Sequence, residues 1–210
     1  MVFSFIKRAA PLLLFFLLLT GCKTDWSENF SEKKKSPFGT YILHNEVSEL
    51  FDDSEVTLLK KNIHDYLNTE GIDSINTKNY ILIKKGAYNL TDKGTDKLLN
   101  FVAKGNHAFL GLHYFKDTLK ASLGFGVKQI YPKEELKYLK GTLALNNKEF
   151  EKTTYNFNRN IRKNYFLSYN KNTTTVLGTV KVKDSLFPNF IKINYGKGAF
   201  LLHSTPIAFT

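Results

Sequence analysis

Apolar residues cluster first near the amino end, where residues 9–19 form a continuous apolar run behind a Lys-Arg pair. A helix that spans a bilayer needs about 20 apolar residues, so this run is too short to cross one. Positive charge followed by a short apolar segment is typical of a signal peptide. The run ends in residues 19–22 (LTGC), which look like a lipobox. We therefore predict a lipoprotein signal peptide over residues 1–21, with diacylglycerol attached to Cys22.

The next clear pattern is a strand, a helix and a second strand. Residues 80–83 are continuously apolar, as in a strand that is buried on both faces. Residues 90–92 supply an N-cap for a helix with an apolar stripe, and Gly105 supplies its C-cap. Residues 107–112 form a second apolar run. This order predicts a βαβ crossover, which implies two parallel strands.

The rest of the chain divides into a helical part and a β-rich part. Apolar residues at helical spacing predict helices over 38–51 and 60–68, with a short strand over 55–59 between them. Beyond Gly124, short β-prone runs between Asn, Lys and Gly residues predict further strands. They cover residues 142–145, 153–157, 165–169, 173–179, 189–194 and 199–203, and the last two form a hairpin.

These patterns define the predicted domain organisation. Residues 22–36 are polar and charged, so we expect a lipidated tether there, followed by one α/β domain over residues 37–210. Pro206 and Ile207 suggest a further helix at the point where the sequence stops. One alternative is therefore that the chain is truncated at the C-terminus and belongs to a longer protein. Two or three acyl chains anchor a protein stably. The membrane is therefore a predicted partner, and the predicted location is the periplasmic or surface face of the cell envelope, with the leaflet left open.

Charge and composition narrow the classes of partner. The formal net charge is +11, and removal of the two basic residues of the signal peptide leaves +9. A basic protein is suited to nucleic acid, anionic lipid or acidic polysaccharide. Because export separates this chain from nucleic acid, we exclude that partner. Only residues 33–35 form a run of lysines, and they follow the predicted anchor closely.

A family resemblance is carried by the order and spacing of several short segments. These are residues 36–41 (SPFGTY), 90–91 (LT), 101–106 (FVAKGN), 195–198 (YGKG) and 201–206 (LLHSTP). Together, over roughly Asp25 to Thr210, they resemble the bacterial family called domain of unknown function 4350, common in Bacteroidota. The resemblance implies a flavodoxin-like, class I glutamine-amidotransferase-like parallel sheet. It also implies envelope protein partners, including a system with a MoxR-type ATPase.

The chemistry of an amidotransferase is not expected here. Such an enzyme needs a cysteine nucleophile on a turn after a buried strand. Cys22 is the only cysteine and is consumed by the lipid, and no Gly-x-Ser-x-Gly elbow replaces it. No His or Cys spacing indicates a metal site, and nothing indicates a cofactor. His113, at the end of the second predicted strand, is the one candidate base for a cryptic hydrolase.

A ligand site is expected only from position in the sheet. In an open parallel sheet, ligands bind outside the carboxyl ends of the strands. The residues predicted at this rim are Lys84, Lys85, Gly86, His113 and Tyr114. Three functions follow as hypotheses. The leading one is a catalytically inactive, membrane-tethered interaction or scaffold module, followed by a binding module for an anionic envelope glycan or small ligand, and then a cryptic hydrolase.

Overall fold

The computed structural model of the chain describes residues 24–51, 54–60, 62–69, 77–87, 90–129, 141–150, 153–157, 164–182 and 184–210. Its helices are α1 (Tyr41–Leu50), α2 (Ile63–Thr69), α3 (Asp92–Ala103) and α4 (Asp117–Leu123), followed by a 3-10 helix at Pro206–Phe209. Its strands are β1 (Asn79–Gly86), β2 (His107–Tyr114), β3 (Gly126–Gln129), β4 (Gly141–Leu145), β5 (Thr154–Phe157), β6 (Asn164–Ser168), β7 (Thr174–Val182), β8 (Ser185–Tyr195) and β9 (Gly198–His203). Within these described ranges, no helix is both long enough and apolar enough to cross a membrane.

The strands form one large mixed sheet and one small sheet. The large sheet has the order β1-β2-β9-β8-β7-β4-β5, and β3 pairs with β6 in the small sheet. β1, β2 and β9 run parallel to one another. All other pairings, from β9–β8 across to β4–β5, are antiparallel. The parallel part is therefore confined to three strands at one edge of the large sheet.

The predicted flavodoxin-like, amidotransferase-like parallel sheet is wrong. The fold is β-rich, with a mixed seven-stranded sheet and few helices among the described residues. The physical reason lies in the connections between strands. Parallel neighbours need a crossover of a dozen or more residues, whereas short turns join antiparallel neighbours. Among the described residues, only β1 and β2 are joined by a helical crossover, and the later strands β8 and β9 follow one another closely across residues 196–197.

Most of the predicted local elements are confirmed. The βαβ unit lies over β1, α3 and β2, and Gly105 after α3 has a φ of 108°, in the region that favours glycine. At the start of α3, the Thr91 hydroxyl accepts a hydrogen bond from the Gly94 amide at 3.0 Å. Two expectations are wrong. Residues 55–59 form no strand, and β1 is an edge strand in which Ile81 is 41% exposed rather than buried on both faces.

The main core lies between α3 and one face of the parallel strands. Side chains alternate between the two faces of a strand. In β2, Ala108, Leu110 and Leu112 are buried in the main hydrophobic cluster with Leu98 and Val102 of α3. The intervening residues of β2 therefore point to the opposite face of the sheet. On that face the ring of Phe109 packs edge-on against the ring of Phe209 in the 3-10 helix, with centroids 5.2 Å apart. His113 of β2 belongs to the same face by this alternation.

Candidate functional site at the rim of the parallel strands

The parallel pairing of β1 and β2 brings the five predicted rim residues together. Lys84 pairs with Leu112, and Gly86 pairs with Tyr114, so both strands end at the same level. Lys85 is exposed, Gly86 is buried, and Tyr114 is 39% exposed. His113 is only 1% exposed. The rim thus exists as predicted, but its candidate base faces the interior of the protein.

The rim is covered by the chain's own amino-terminal segment, residues 24–40, which we call the strap. Phe30 of the strap is 1% exposed, and its ring lies edge-on to the imidazole of His113, with centroids 6.2 Å apart. Glu28 Oε2 lies 3.7 Å from His113 Nε2. Lys84 Nζ donates a hydrogen bond to the Phe30 carbonyl at 3.0 Å and lies 3.8 Å from Glu32 Oε2. Two of the rim side chains that were expected to receive an anionic ligand, Lys84 and His113, therefore contact carboxylates of the strap.

The strap is closed on itself by backbone hydrogen bonds. The Phe30 amide donates to the Phe38 carbonyl at 2.9 Å, and the Thr40 amide donates to the Ser31 carbonyl at 3.0 Å. At the start of this loop, Phe30 has a φ of 47°, in the left-handed region. A bulky residue there costs about 1–2 kcal/mol. The burial of the Phe30 ring against His113 offsets that strain, so the loop shape and the covering of the rim depend on each other.

A second group of buried polar side chains lies behind the rim, and sequence reasoning did not single it out as a site. His203 ends β9 and is 6% exposed, and Ser204 and Thr205 after it are fully buried. The Thr205 amide donates to His203 Nδ1 at 3.1 Å, which favours the neutral ring. Burial lowers the pKa of His203 from 6.5 to about 3, and the neighbouring His113 acts in the same direction. His203 is therefore an uncharged structural imidazole at neutral pH.

The remaining members of this polar group join four strands. The Ser204 hydroxyl lies 2.7 Å from the Asn164 carbonyl and 3.3 Å from the Asn189 carbonyl, and donates to them. The Asn164 amide group donates to the His113 carbonyl at 2.6 Å. These bonds connect the ends of β9 and β2 to β6 and β8. Because the Ser204 hydrogen is directed to backbone carbonyls and the side chain is buried, this serine is not arranged as a nucleophile.

A groove on another part of the surface offers open space. Its volume is about 360 Å³, within the range of small-ligand sites. Its lining is aromatic and apolar with one lysine, and consists of Tyr165, Phe166, Leu167, Ser168, Tyr169, Lys171, Phe187 and Pro188. The rings of Tyr165 and Phe187 are tilted toward each other, with centroids 4.6 Å apart. Sequence reasoning missed this groove because its two sides, β6 and β8, are distant in the chain.

Metal binding finds no support in the part of the chain that the structure describes. No group of three or more His, Cys, Asp or Glu side chains is placed there to hold an ion. Cys22, the predicted lipidation site, lies outside the described residues.

The similarity of this chain to known proteins is low. No family model and no curated protein matches the sequence, so the resemblance to domain of unknown function 4350 stays a prediction. Among solved structures, the chain is similar to a GH42 β-galactosidase from G. stearothermophilus at 14% identity, over 64% of this chain and 20% of that one, with a TM-score of 0.40. It is similar to a β-galactosidase from Bacillus circulans sp. alkalophilus at 11% identity, over 67% and 22%, with a TM-score of 0.41. It is also similar to an exo-β-1,4-mannosidase from Opitutaceae bacterium strain TAV5 at 11% identity, over 61% and 20%, with a TM-score of 0.39. The chain thus spans about a fifth of the length of these enzymes.

Proposed function

We propose that this chain is a catalytically inactive interaction module of the cell envelope, tethered to a membrane by lipid on Cys22. The observation that carries the proposal is the covered rim. Ligand sites of open α/β sheets lie outside the carboxyl ends of parallel strands. Here Phe30 of the strap fills that position, and the side chain of His113 has no exposed surface.

The chemistry of the described residues supports the same proposal. A hydrolase that works by nucleophilic catalysis needs a nucleophile and a base that reach the substrate. Cys22 is the only cysteine in the sequence, and Ser204 is buried with its hydroxyl bonded to backbone carbonyls. His113 is shielded by the strap, and His203 is held neutral by burial. The two histidines near the rim are therefore suited to a structural role.

Exposed apolar side chains near the groove supply a surface for a protein partner. Leu167 in the groove is 60% exposed, and Leu186, next to Phe187 of the groove, is 64% exposed. Exposed apolar side chains that border an aromatic groove are the candidate contacts for such a partner. We propose an envelope protein as the partner, and a MoxR-type ATPase system is the hypothesis that the family resemblance supplies.

Site-specific photo-crosslinking of the full chain in its host tests this function. A photoreactive residue is placed at Leu167, at Leu186 and, as a control, at Lys104, an exposed residue in the turn after α3. We expect the first two positions to give an adduct of the same mass, and Lys104 to give none. The adduct should weaken in a Cys22→Ala chain, which lacks the anchor. Absence of an adduct from both leucine positions, with the protein present in membranes, would contradict the proposal.

The tether is tested separately by the intact mass of the protein purified from its host. We expect a chain that begins at Cys22 and carries diacylglycerol. Treatment of the cells with globomycin, which blocks the lipoprotein signal peptidase, should leave residues 1–21 attached. An unmodified, uncleaved chain from untreated cells would overturn the tether.

A second candidate function, binding of an anionic envelope glycan or small ligand, is favoured by the groove alone. Its tyrosine rings suit stacking against a sugar, and Lys171 supplies one positive charge. Thermal-shift measurements with acidic oligosaccharides test this candidate. Stabilisation that disappears in both Tyr165→Ala and Lys171→Gln, and persists in the control Lys104→Gln, would favour the glycan over the protein partner.

A further inference from the structure

We infer that the strap makes a direct contact with anionic lipid headgroups, through Trp26 and the lysines at residues 33–35. This inference rests on the proposed lipidation of Cys22, and it adds a defined membrane-facing surface to that anchor. The contact would hold one face of the domain against the bilayer, so that the groove and the exposed leucines are presented in a fixed direction.

The short distance along the chain is the first argument. Trp26 follows Cys22 by four residues. A fully extended chain spans at most about 3.3–3.6 Å per residue, so Trp26 lies within about 14 Å of the lipidated cysteine. The strap is not a free linker beyond that point. The ring of Trp26 packs edge-on against Phe38, with centroids 5.9 Å apart, and Phe30 is buried. Lipid on Cys22 therefore brings the strap itself to the headgroups.

The arrangement of charges in the strap is the second argument. By sequence, three acidic residues balance its three lysines. In the structure, two of the acidic residues face the domain, because Glu28 contacts His113 and Glu32 contacts Lys84. The three lysines are exposed on the outside. Asp25 is the one acidic residue left beside them, 3.9 Å from Lys34. The outer surface of the strap is therefore positive although its total charge is zero.

The type of aromatic residue is the third argument. Trp26 is 44% exposed. Indole rings favour the membrane–water interface, because the ring is apolar and its N–H remains hydrated. Lys35 Nζ lies 4.9 Å from the centroid of the Tyr41 ring, so a second aromatic ring borders the lysines.

Helix α1 is excluded from this contact. It has no buried residues, and Ile42 and Leu50 are 71% and 65% exposed. At about 100° per residue, however, Glu46 and Glu49 point to the same side of the helix as Ile42. Two carboxylates on that side would be repelled by anionic lipid. The membrane contact is therefore confined to the strap.

Fluorescence of Trp26 tests the inference directly, because it is the only tryptophan in the chain. The full lipidated protein is reconstituted into vesicles of phosphatidylcholine, alone or mixed with phosphatidylglycerol, with acyl chains brominated close to the headgroups as quenchers. We expect a blue-shifted emission and quenching that is stronger in the anionic vesicles and weaker at high salt.

A charge-matched pair of variants separates lipid contact through the strap lysines from the general attraction of a basic protein to an anionic surface. Replacement of Lys33, Lys34 and Lys35 by Gln should remove the extra quenching in anionic vesicles, since each lysine near such a surface changes the contact equilibrium about fivefold. The control replaces Lys104, Lys148 and Lys197, which are also exposed, by Gln and should leave the quenching unchanged. Equal quenching in both kinds of vesicle, or equal loss in both variants, would overturn the contact.

Sedimentation of the same vesicles distinguishes this failure from failure of the proposed function. A lipidated chain that sediments with the vesicles, but whose Trp26 is not quenched, contradicts only the strap contact. If the wild-type protein from the host carries no lipid and stays in the supernatant, the tether is contradicted as well.

Discussion

Glu28 Oε2 lies 3.7 Å from His113 Nε2, and this contact joins the segment nearest the predicted anchor to the carboxyl end of β2. The imidazole has no exposed surface, and the Glu28 side chain is 19% exposed. The polar composition of residues 22–36 predicted a tether. Within that segment, however, Glu28 and Phe30 are attached to the domain, and their contacts cover the position where a ligand was expected.

Phe30→Ala tests how strongly the strap is attached. Loss of a buried phenylalanine typically costs about 3–5 kcal/mol, and urea unfolding measures the change in the free energy of unfolding. We expect hydrogen exchange to accelerate over residues 24–40. The control is Phe150→Ala, because Phe150 is 40% exposed and its loss should cost much less. Equal stability of the Phe30 variant and the wild type would contradict the role given to the strap.

The size of the stability loss in Phe30→Ala, together with the hydrogen-exchange rates, shows whether the strap unfolds alone or with the rest of the domain. If the strap separates by itself, only its own contribution to stability is lost, and exchange stays slow in β2 and β9. If the strap unfolds together with the rest, exchange accelerates throughout the sheet. The first result would make the rim accessible in the variant, which chemical modification of His113 would detect.

His203 predicts a pH dependence of stability. Its folded pKa, about 3, lies below the unfolded value of 6.5, so the unfolded chain binds a proton that the folded chain does not. This contribution to stability is fully present above pH 6.5 and is lost as the pH falls through 6.5 toward 3. Between pH 7.5 and pH 5 the free energy of unfolding should fall by about 2 kcal/mol. Thermal or urea unfolding across this range measures it.

The variant His203→Gln isolates this contribution. Its absolute stability can be lower, because a buried ring is replaced, but its slope against pH should be flatter than that of the wild type between pH 7.5 and pH 5. The slope is therefore the quantity to compare. Parallel slopes for the two proteins would assign the acid sensitivity to other groups.

The sequence predicted what depends on neighbours in the chain. The βαβ unit was visible because the apolar run of β1, the N-cap Thr91 and Gly105 each act within a few residues. The order of strands in the large sheet was not visible. β9 pairs with β2 in parallel, with Gly111 opposite His203 although 92 positions separate them in the sequence, and no local pattern encodes that pairing.

The candidate site was also predicted only in part. Position at the ends of parallel strands correctly brought Lys84, Gly86, His113 and Tyr114 together. The strap was missed because isolated aromatic residues among polar ones give no periodic signal, and the burial of Phe30 depends on His113 far along the chain. The burial of His203 was missed for the same reason, since it requires β9 to lie inside the sheet.

Substitutions at two glycines compare the stability cost of a backbone collision with the cost of a strained backbone conformation. A Cβ at Gly198 would collide with the carbonyl oxygens of Asn106 and Val102, so Gly198→Ala must push β9 away from the end of α3. Gly124 has a φ of 65° but open space around it. We expect Gly124→Ala to cost about 1–2 kcal/mol from conformation alone. Gly198→Ala should cost about 3 kcal/mol or more. Urea unfolding ranks the two, and a greater loss at Gly124 would contradict the packing described for β9.

Asn106 joins the start of β1 to the end of α3 through both ends of its side-chain amide. Its Oδ1 accepts a hydrogen bond from the Lys78 amide at 2.8 Å, and its Nδ2 donates to the Phe101 carbonyl at 2.9 Å. Asn106 is 4% exposed, so Asn106→Ala would leave two backbone groups without these partners. Each such group costs about 1–3 kcal/mol, and we expect a total loss of about 2–4 kcal/mol in urea unfolding.

The variant Asn106→Asp separates the two halves of this connection. A carboxylate still accepts from the Lys78 amide but no longer donates to the Phe101 carbonyl, and two oxygens then face each other. At low pH the protonated carboxyl regains a donor, so the stability of Asn106→Asp relative to wild type should rise as the pH falls. The exposed Asn146→Ala is the matched control and should change the free energy of unfolding by less than about 0.5 kcal/mol. If Asn106→Ala were as mild as this control, the alignment of β1 with α3 would have to come from the strand pairing alone.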